Sequence, residues 1–335
     1  MAVIAGDNID KLCSLEFRPG ESNIPRGIVS RMYDAARARN GAPLSSTIGT
    51  AIVERVASGD RVLILTGAGS PPFFPRAEID GLPGAAAIAR ALTLGLGAQV
   101  HIAVESRAFE PMLAALRAAE LNAVLASDGL ELPPGAVVVH DSPIDPAEGR
   151  AFSDAILDEL SPSLVLGIEK LSESRSDGRV RGATGWDWHD THFKPQYLVE
   201  TARARGILTV GIGDGGNEVG YGSLPEVEEI VPSGHISAAA TATDHLWVAS
   251  VSDWGGYGLA AMLAILLKRP SIASNARIVE RMLDAVVLAG AVDGLYARPI
   301  TGDDGYPLEM QTALATMLEV AISQTLLPPF VSPGH

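Results

Sequence analysis

The chain has 335 residues, 47% of them hydrophobic and 19% charged, with a formal net charge of −15. A surface this acidic does not coat nucleic acid or an anionic membrane by electrostatics alone, so neither is an expected partner. One cysteine, Cys13, excludes an intrachain disulfide.

Residues 1–58 read as helical. Cys13 falls in the apolar, periodic stretch IDKLCSL and is expected to be a buried structural thiol. SRMYDAARARN and SSTIGTAIVERVAS have helical spacing, with Pro43 breaking the chain between them. MAVIAGDNIDKL has no basic segment followed by a long apolar one, so no secretory leader is expected and the protein is placed in the cytoplasm.

From residue 61 the pattern changes. RVLILT (61–66), QVHIAV (99–104), LNAVLA (121–126), AVVVH (136–140), SLVLGIE (163–169), ILTVGI (207–212) and HLWVASV (245–251) are short apolar runs rich in β-formers. GAAAIARALTLGL, EPMLAALRAAE, PAEGRAFSDAILDEL and KPQYLVETARAR between them have helical spacing. Strands alternating with helices predict a doubly wound, mostly parallel Rossmann-like α/β sheet with helices on both faces. Beyond 254, GGYGLAAMLAILL, ARIVERMLDAVVLAGAV and a last helix after DGYPLE extend it, so 1–335 reads as a single α/β domain with its sheet core at 61–251. LAAMLAILL, ended by Lys268, falls short of the about 20 apolar residues a membrane span needs. The apolar late helices read as core, with a homo-oligomer interface left open.

In such a sheet, ligands bind outside the carboxyl ends of the strands. Thr66, Glu78 and Asp80 follow the first strand, Glu169 ends the fifth, and GDGGNE and SDWGGYG follow the sixth and seventh. GIGDGGNEVGYG formally contains G-x-G-x-x-G at Gly211, Gly213 and Gly216, the dinucleotide fingerprint. Gly220, Gly222 and Pro225 argue against the helix it must open, and Asp214 and Glu218 would repel a pyrophosphate. No nucleotide cofactor is expected. The loop is either a tight turn with solvated acids or a site where Asp214 and Glu218 hold a divalent cation or an ammonium group, with backbone amides free for a carboxylate. Ser252 or Asp253 caps a helix or meets a ligand. WDWHDTH (186–192) suits a lid better than a metal site, although His189 and His192 could share a helical face. His101 and His140 read as core.

LTGAGSPPFFPRAEIDGLPGA, GIGDGGNEVGYG, VSDWGGYGLA and DGYPLE, in this order, resemble the D-glutamate cyclase family. The resemblance implies a lyase that dehydrates D-glutamate, or a close analogue, to 5-oxo-D-proline, with a divalent cation such as Mn or Mg as a plausible requirement. It implies catalytic roles for Asp214, Asn217 and Glu218. Substrate contacts fall to Thr66, Asp80, Asp177, Gly213, Gly215, Gly216, Ser252, Asp253 and Trp254, and metal ligation to Glu169, Asp214 and Glu218. The chain departs from the family at RVRGATGWDWHDTHFKP, where a tyrosine- and asparagine-containing stretch is usual, at Tyr221 for methionine and at Asp253 for asparagine. An amino-acid-binding protein without turnover and a nucleotide-dependent Rossmann-type enzyme are the rival readings.

Overall fold

A computed structural model describes residues 2–18, 25–129 and 135–328. Helices α1 (Ala2–Cys13), α2 (Ile28–Asn40) and α3 (Leu44–Arg55) precede strand β1 (Arg61–Leu65). Then come α4 (Leu82–Ala91), β2 (Gln99–Val104), α5 (Phe109–Ala118), β3 (Ala123–Leu125), β4 (Val137–Asp141), α6 (Pro146–Leu160) and β5 (Leu164–Ile168). The chain continues through α7 (Gln196–Ala204), β6 (Leu208–Gly213), two single-turn helices α8 (Val227–Ile230) and α9 (Gly234–Ser237), and β7 (His245–Val248). Helices α10 (Ser252–Leu266) and α11 (Ala276–Leu288), a minimal hairpin of β8 (Gly302–Asp303) and β9 (Tyr306–Pro307), and α12 (Leu308–Leu326) complete it.

The seven strands β1–β7 are parallel, in the order β3-β4-β2-β1-β5-β6-β7. Successive strand residues point to opposite faces. Val62 and Ile64 of β1 join the larger core with α1, α3–α5 and α10–α12, whereas Leu63 and Leu65 join a smaller core with α6 and α7. The order reverses between β1 and β5, and their carboxyl ends bring Thr66 and Glu169 together around Gly81, with Glu169 on the wall of the crevice there.

Local differences from the periodicity have physical causes. The segment expected as one helix over 84–96 starts earlier, with Pro83 in its first turn, and loosens into a π-turn over Leu92–Leu96 that closes at Gly97 (φ 72°). Helix α10 is buried from Ser252 to Ile265. It crosses α4 where a Cβ on Gly256 would stand 2.6 Å from the Gly84 Cα, a spacing only glycine permits. Among the described residues no helix is long and apolar enough to cross a membrane.

Candidate active site

A cavity of about 260 Å³ opens at the switch point, with Arg18, Glu78, Glu169, Asp214, Asn217 and Asp304 on its wall. The loop after β6 shapes one side. Glu218 folds back so that one carboxylate oxygen accepts the Asp214 and Gly215 N–H groups at 3.0 and 2.8 Å. Its other oxygen is buried without a partner, as is the Asn217 side-chain oxygen. The Asn217 amide donates to the Arg181 carbonyl at 2.9 Å. The glycines serve close packing: a Cβ on Gly211 would meet the Val219 carbonyl at 2.2 Å, and one on Gly213 would meet the Glu218 carboxyl carbon at 2.8 Å. The amides of Asp214 and Gly215 therefore serve the loop's own carboxylate, and the loop is not a phosphate cradle.

Asp80 and Asp253 form a reciprocal cap. The Asp80 carboxylate accepts the N–H groups of Ser252 (3.0 Å) and Asp253 (2.7 Å) at the start of α10. The Asp253 carboxylate accepts those of Gly81 (2.9 Å) and Gly84 (2.6 Å) at the start of α4. Each acid fills the orphan donors of the other's helix and meets the positive end of its dipole. The Ser252 hydroxyl donates to Glu169 at 2.6 Å. Glu169 itself sits at φ 43°, an uncommon backbone for a non-glycine residue that turns its side chain into the cavity.

The electrostatics are lopsided. Arg18 is the only basic residue on the cavity wall among the described residues. It is buried and ion-pairs with Asp214 and, at 2.7 Å, with Asp304. Burial opposes its charge, but the two aspartates outweigh that and hold it protonated. Burial also pushes the acids up. Asp214 rises to about 6, with Arg18 restraining it, and Asp304 to about 7. Asp253 rises to about 7 by burial, against the N–H groups that stabilise its charge. Glu78, Asp80, Glu169 and Asp303 are raised well above the ordinary range, by burial first and by neighbouring carboxylates next.

Three carboxylate groups could each surround a cation: Glu169 with Asp214 and Glu218, Asp80 with Asp214 and Asp304, and Asp80 with Asp253 and Asp303, each with oxygens within 4.8 Å of one another. Asp80 and Asp253 already accept two helix N–H groups apiece. The first group retains the unpartnered Glu218 oxygen, an oxygen donor of the kind hard divalent cations take.

The residues singled out from the sequence separate into groups. Asp214, Asn217, Glu218, Glu169, Asp80, Ser252 and Asp253 converge at the carboxyl edge. Gly213, Gly215 and Gly216 let the β6 loop fold; a Cβ on Gly215 would stand 2.6 Å from the Asn217 side-chain oxygen. Thr66 is buried with its hydroxyl unpartnered. Trp254 is buried behind the site, donating to Gln311 at 2.6 Å and packing on Tyr306 at 4.9 Å. The Tyr306 hydroxyl accepts the Phe17 and Arg18 N–H groups, so Trp254 supports Arg18 from behind. Asp177 lies off the cavity wall, paired with Arg181 on the outer loop. His192 is buried against Trp188, and neither it nor His189 joins a metal-capable cluster among the described residues. Arg18 and Asp304 escaped sequence reasoning. Asp304 had a signal, its place in DGYPLE, but Arg18 had none.

The fold and this crevice define a doubly wound α/β protein with a desolvated acidic cavity at its switch point. The profile of the family described as "D-glutamate cyclase-like, C-terminal" matches residues 26–319, and the chain belongs to that family. Over 218 residues, 61% of the chain, it is 31% identical to the human protein described as "D-glutamate cyclase, mitochondrial". The match covers 33% of that protein's length.

Proposed function

We propose that the chain is a lyase that closes D-glutamate, or a close analogue, to 5-oxo-D-proline with loss of water. One observation carries this reading beyond the family membership. Asp214 and Asp304, raised to about 6 and about 7, share a single arginine in a buried cavity, which is an acid–base pair poised near neutral pH.

The reaction forms a bond from the α-nitrogen to the carbon of the γ-carboxyl group and breaks one of that carboxyl's carbon–oxygen bonds. Both protons that the ammonium gives up leave on the departing water. Asp214, ionised above about pH 6, takes the first proton and frees the amine. Asp304, protonated below about pH 7, gives its proton to the leaving oxygen. Arg18 exchanges part of its aspartate pairing for a substrate carboxylate. The curled substrate is already ordered on binding, worth up to about 7–11 kcal/mol in well-oriented intramolecular reactions. Glu169, Asp214 and Glu218 fit a divalent cation, Mn or Mg, which when bound would neutralise the γ-carboxylate and the developing oxyanion.

The test is proton NMR of the purified protein with D- and L-glutamate, each with Mn²⁺ or with EDTA. 5-Oxoproline from the D-isomer is the expected result, and loss of turnover with EDTA would assign the cation a role. Asp214→Asn and Asp304→Asn are expected to lower turnover about 10²–10⁴-fold, the usual worth of a positioned acid or base, with unchanged circular dichroism. Near-wild-type rates in both would remove the site assignment.

A further inference from the structure

Besides its acids, the cavity has an apolar wall. Phe73, Phe74, Leu171, Trp186, Trp188 and Leu295 line the cavity together with the acids. At the rim Trp186 is 66% and Phe73 58% exposed. Their rings meet edge-on at 6.5 Å from two separate loops, and Phe74 meets Trp188 behind them at 5.7 Å. Exposed aromatic pairs rimmed by polar groups mark ligand surfaces. The loop that carries the tryptophans is held firmly: Gly182 and Trp186 pair by a 2.9 Å backbone bond, Trp188 donates to the Val180 carbonyl at 3.0 Å, and Arg179 and Arg181 pair with Asp187 and Asp177.

Charge points the same way. Glu78, Glu169, Asp214 and Asp304 face the cavity with Arg18 alone in balance. Free glutamate brings two carboxylates and one ammonium. A γ-amide removes one of those negative charges and places its nitrogen substituent where a second, apolar wall can receive it.

Resting on the cyclase reading for its chemistry, we propose that the substrate is a γ-glutamyl amide of an apolar or aromatic amine. Its amino-acid end lies among the acids and its apolar group between Phe73 and Trp186. The α-nitrogen attacks the γ-carbonyl, the new C–N bond closes the ring, and the old amide C–N bond breaks. The ammonium releases two protons, one of which goes to the leaving nitrogen, so the products are 5-oxoproline, an amine and one proton, which that amine carries as its ammonium form at neutral pH. No oxidant or further reactant is required.

The test compares D-glutamate with D-glutamate γ-benzylamide on the full chain, by calorimetric binding and by NMR turnover. The benzylamide is expected to bind at least about 10-fold more tightly, since its phenyl ring leaves water for an apolar wall. Trp186→Ala and Phe73→Ala, both at exposed positions, are expected to reduce that ratio toward one without lowering the melting temperature. Equal binding of the two compounds to the wild type overturns the proposal, as does a ratio that survives both substitutions. Preferential binding that both substitutions abolish, without turnover of either compound, supports the aromatic subsite and removes the cyclase chemistry. Binding of neither compound overturns both.

Discussion

The two oxygens of the Asp253 carboxylate have different surroundings. One accepts the Gly81 and Gly84 N–H groups, which an asparagine oxygen would also do. The other faces Tyr257 at 3.5 Å and the Asp303 carboxylate, whose oxygens are otherwise buried and unpartnered. An asparagine amide there would donate to Asp303 where Asp253 can only share a proton. Asp253→Asn is therefore expected to keep both helix caps and to raise stability at pH 8 by about 1–2 kcal/mol, the scale of one buried acceptor gaining its donor. Urea titration at pH 8 checks it, and a lowered midpoint would show that the charge on Asp253 itself is needed. Asp80→Ala removes two acceptors from the start of α10 with nothing to replace them, and is expected to cost about 1–2 kcal/mol in the same titration.

Between elements, one ion pair ties the outer loop to the sheet. Lys170 follows the end of β5 and is fully buried; its ammonium meets both oxygens of Glu105, just past β2, at 2.7 and 2.8 Å. The same carboxylate accepts the Phe193 N–H at 2.8 Å, where the tryptophan loop returns to the core. Arg107 adds a bond to the Gly69 carbonyl at 2.7 Å and another to Thr191, joining the two loops that carry Phe73 and Trp186. A buried pair loses most when one partner goes, because the other is left charged and dry. Lys170→Met is expected to cost about 3–5 kcal/mol, and Lys170→Met with Glu105→Gln to cost less than the single change. Chemical denaturation of the two variants decides it; additive losses would mean that the groups are not coupled.

For the whole molecule, the buried acids set the direction of pH dependence. Asp253 and Asp304 at about 7, Asp214 at about 6 and the still higher Glu78, Asp80, Glu169 and Asp303 all hold protons more tightly folded than unfolded. Their stabilisation is complete below the unfolded carboxylate pKa and is lost as pH rises through the folded values. The metal-free protein is thus expected to melt higher at pH 5 than at pH 8, by more than about 3 °C, roughly the shift that 1 kcal/mol gives a domain somewhat smaller than this one. Mn²⁺ added at pH 8 should recover much of the difference by binding the folded state alone. A melting temperature that rises from pH 5 to pH 8 without metal would show that these carboxylates are ionised and paired in the fold.

The alternation of apolar strands with helical segments was enough to place all seven strands of a mostly parallel sheet and the longer helices α4–α7 between them, though not the single turns α8 and α9, because periodicity is a local property that needs several residues to show. It also placed Glu169, Asp214, Asn217, Glu218 and Asp253 at one edge, since each directly follows a strand. Tertiary structure alone decided how those groups act. Asp80 and Asp253 cap each other's helices across 173 positions of sequence. Arg18 reaches Asp214 across 196. Trp254 turned inward to Gln311 and Tyr306, while Trp186 turned outward to the rim. No local pattern encodes such pairings: they exist only once the sheet has brought the ends of distant strands together and excluded water from the space between them.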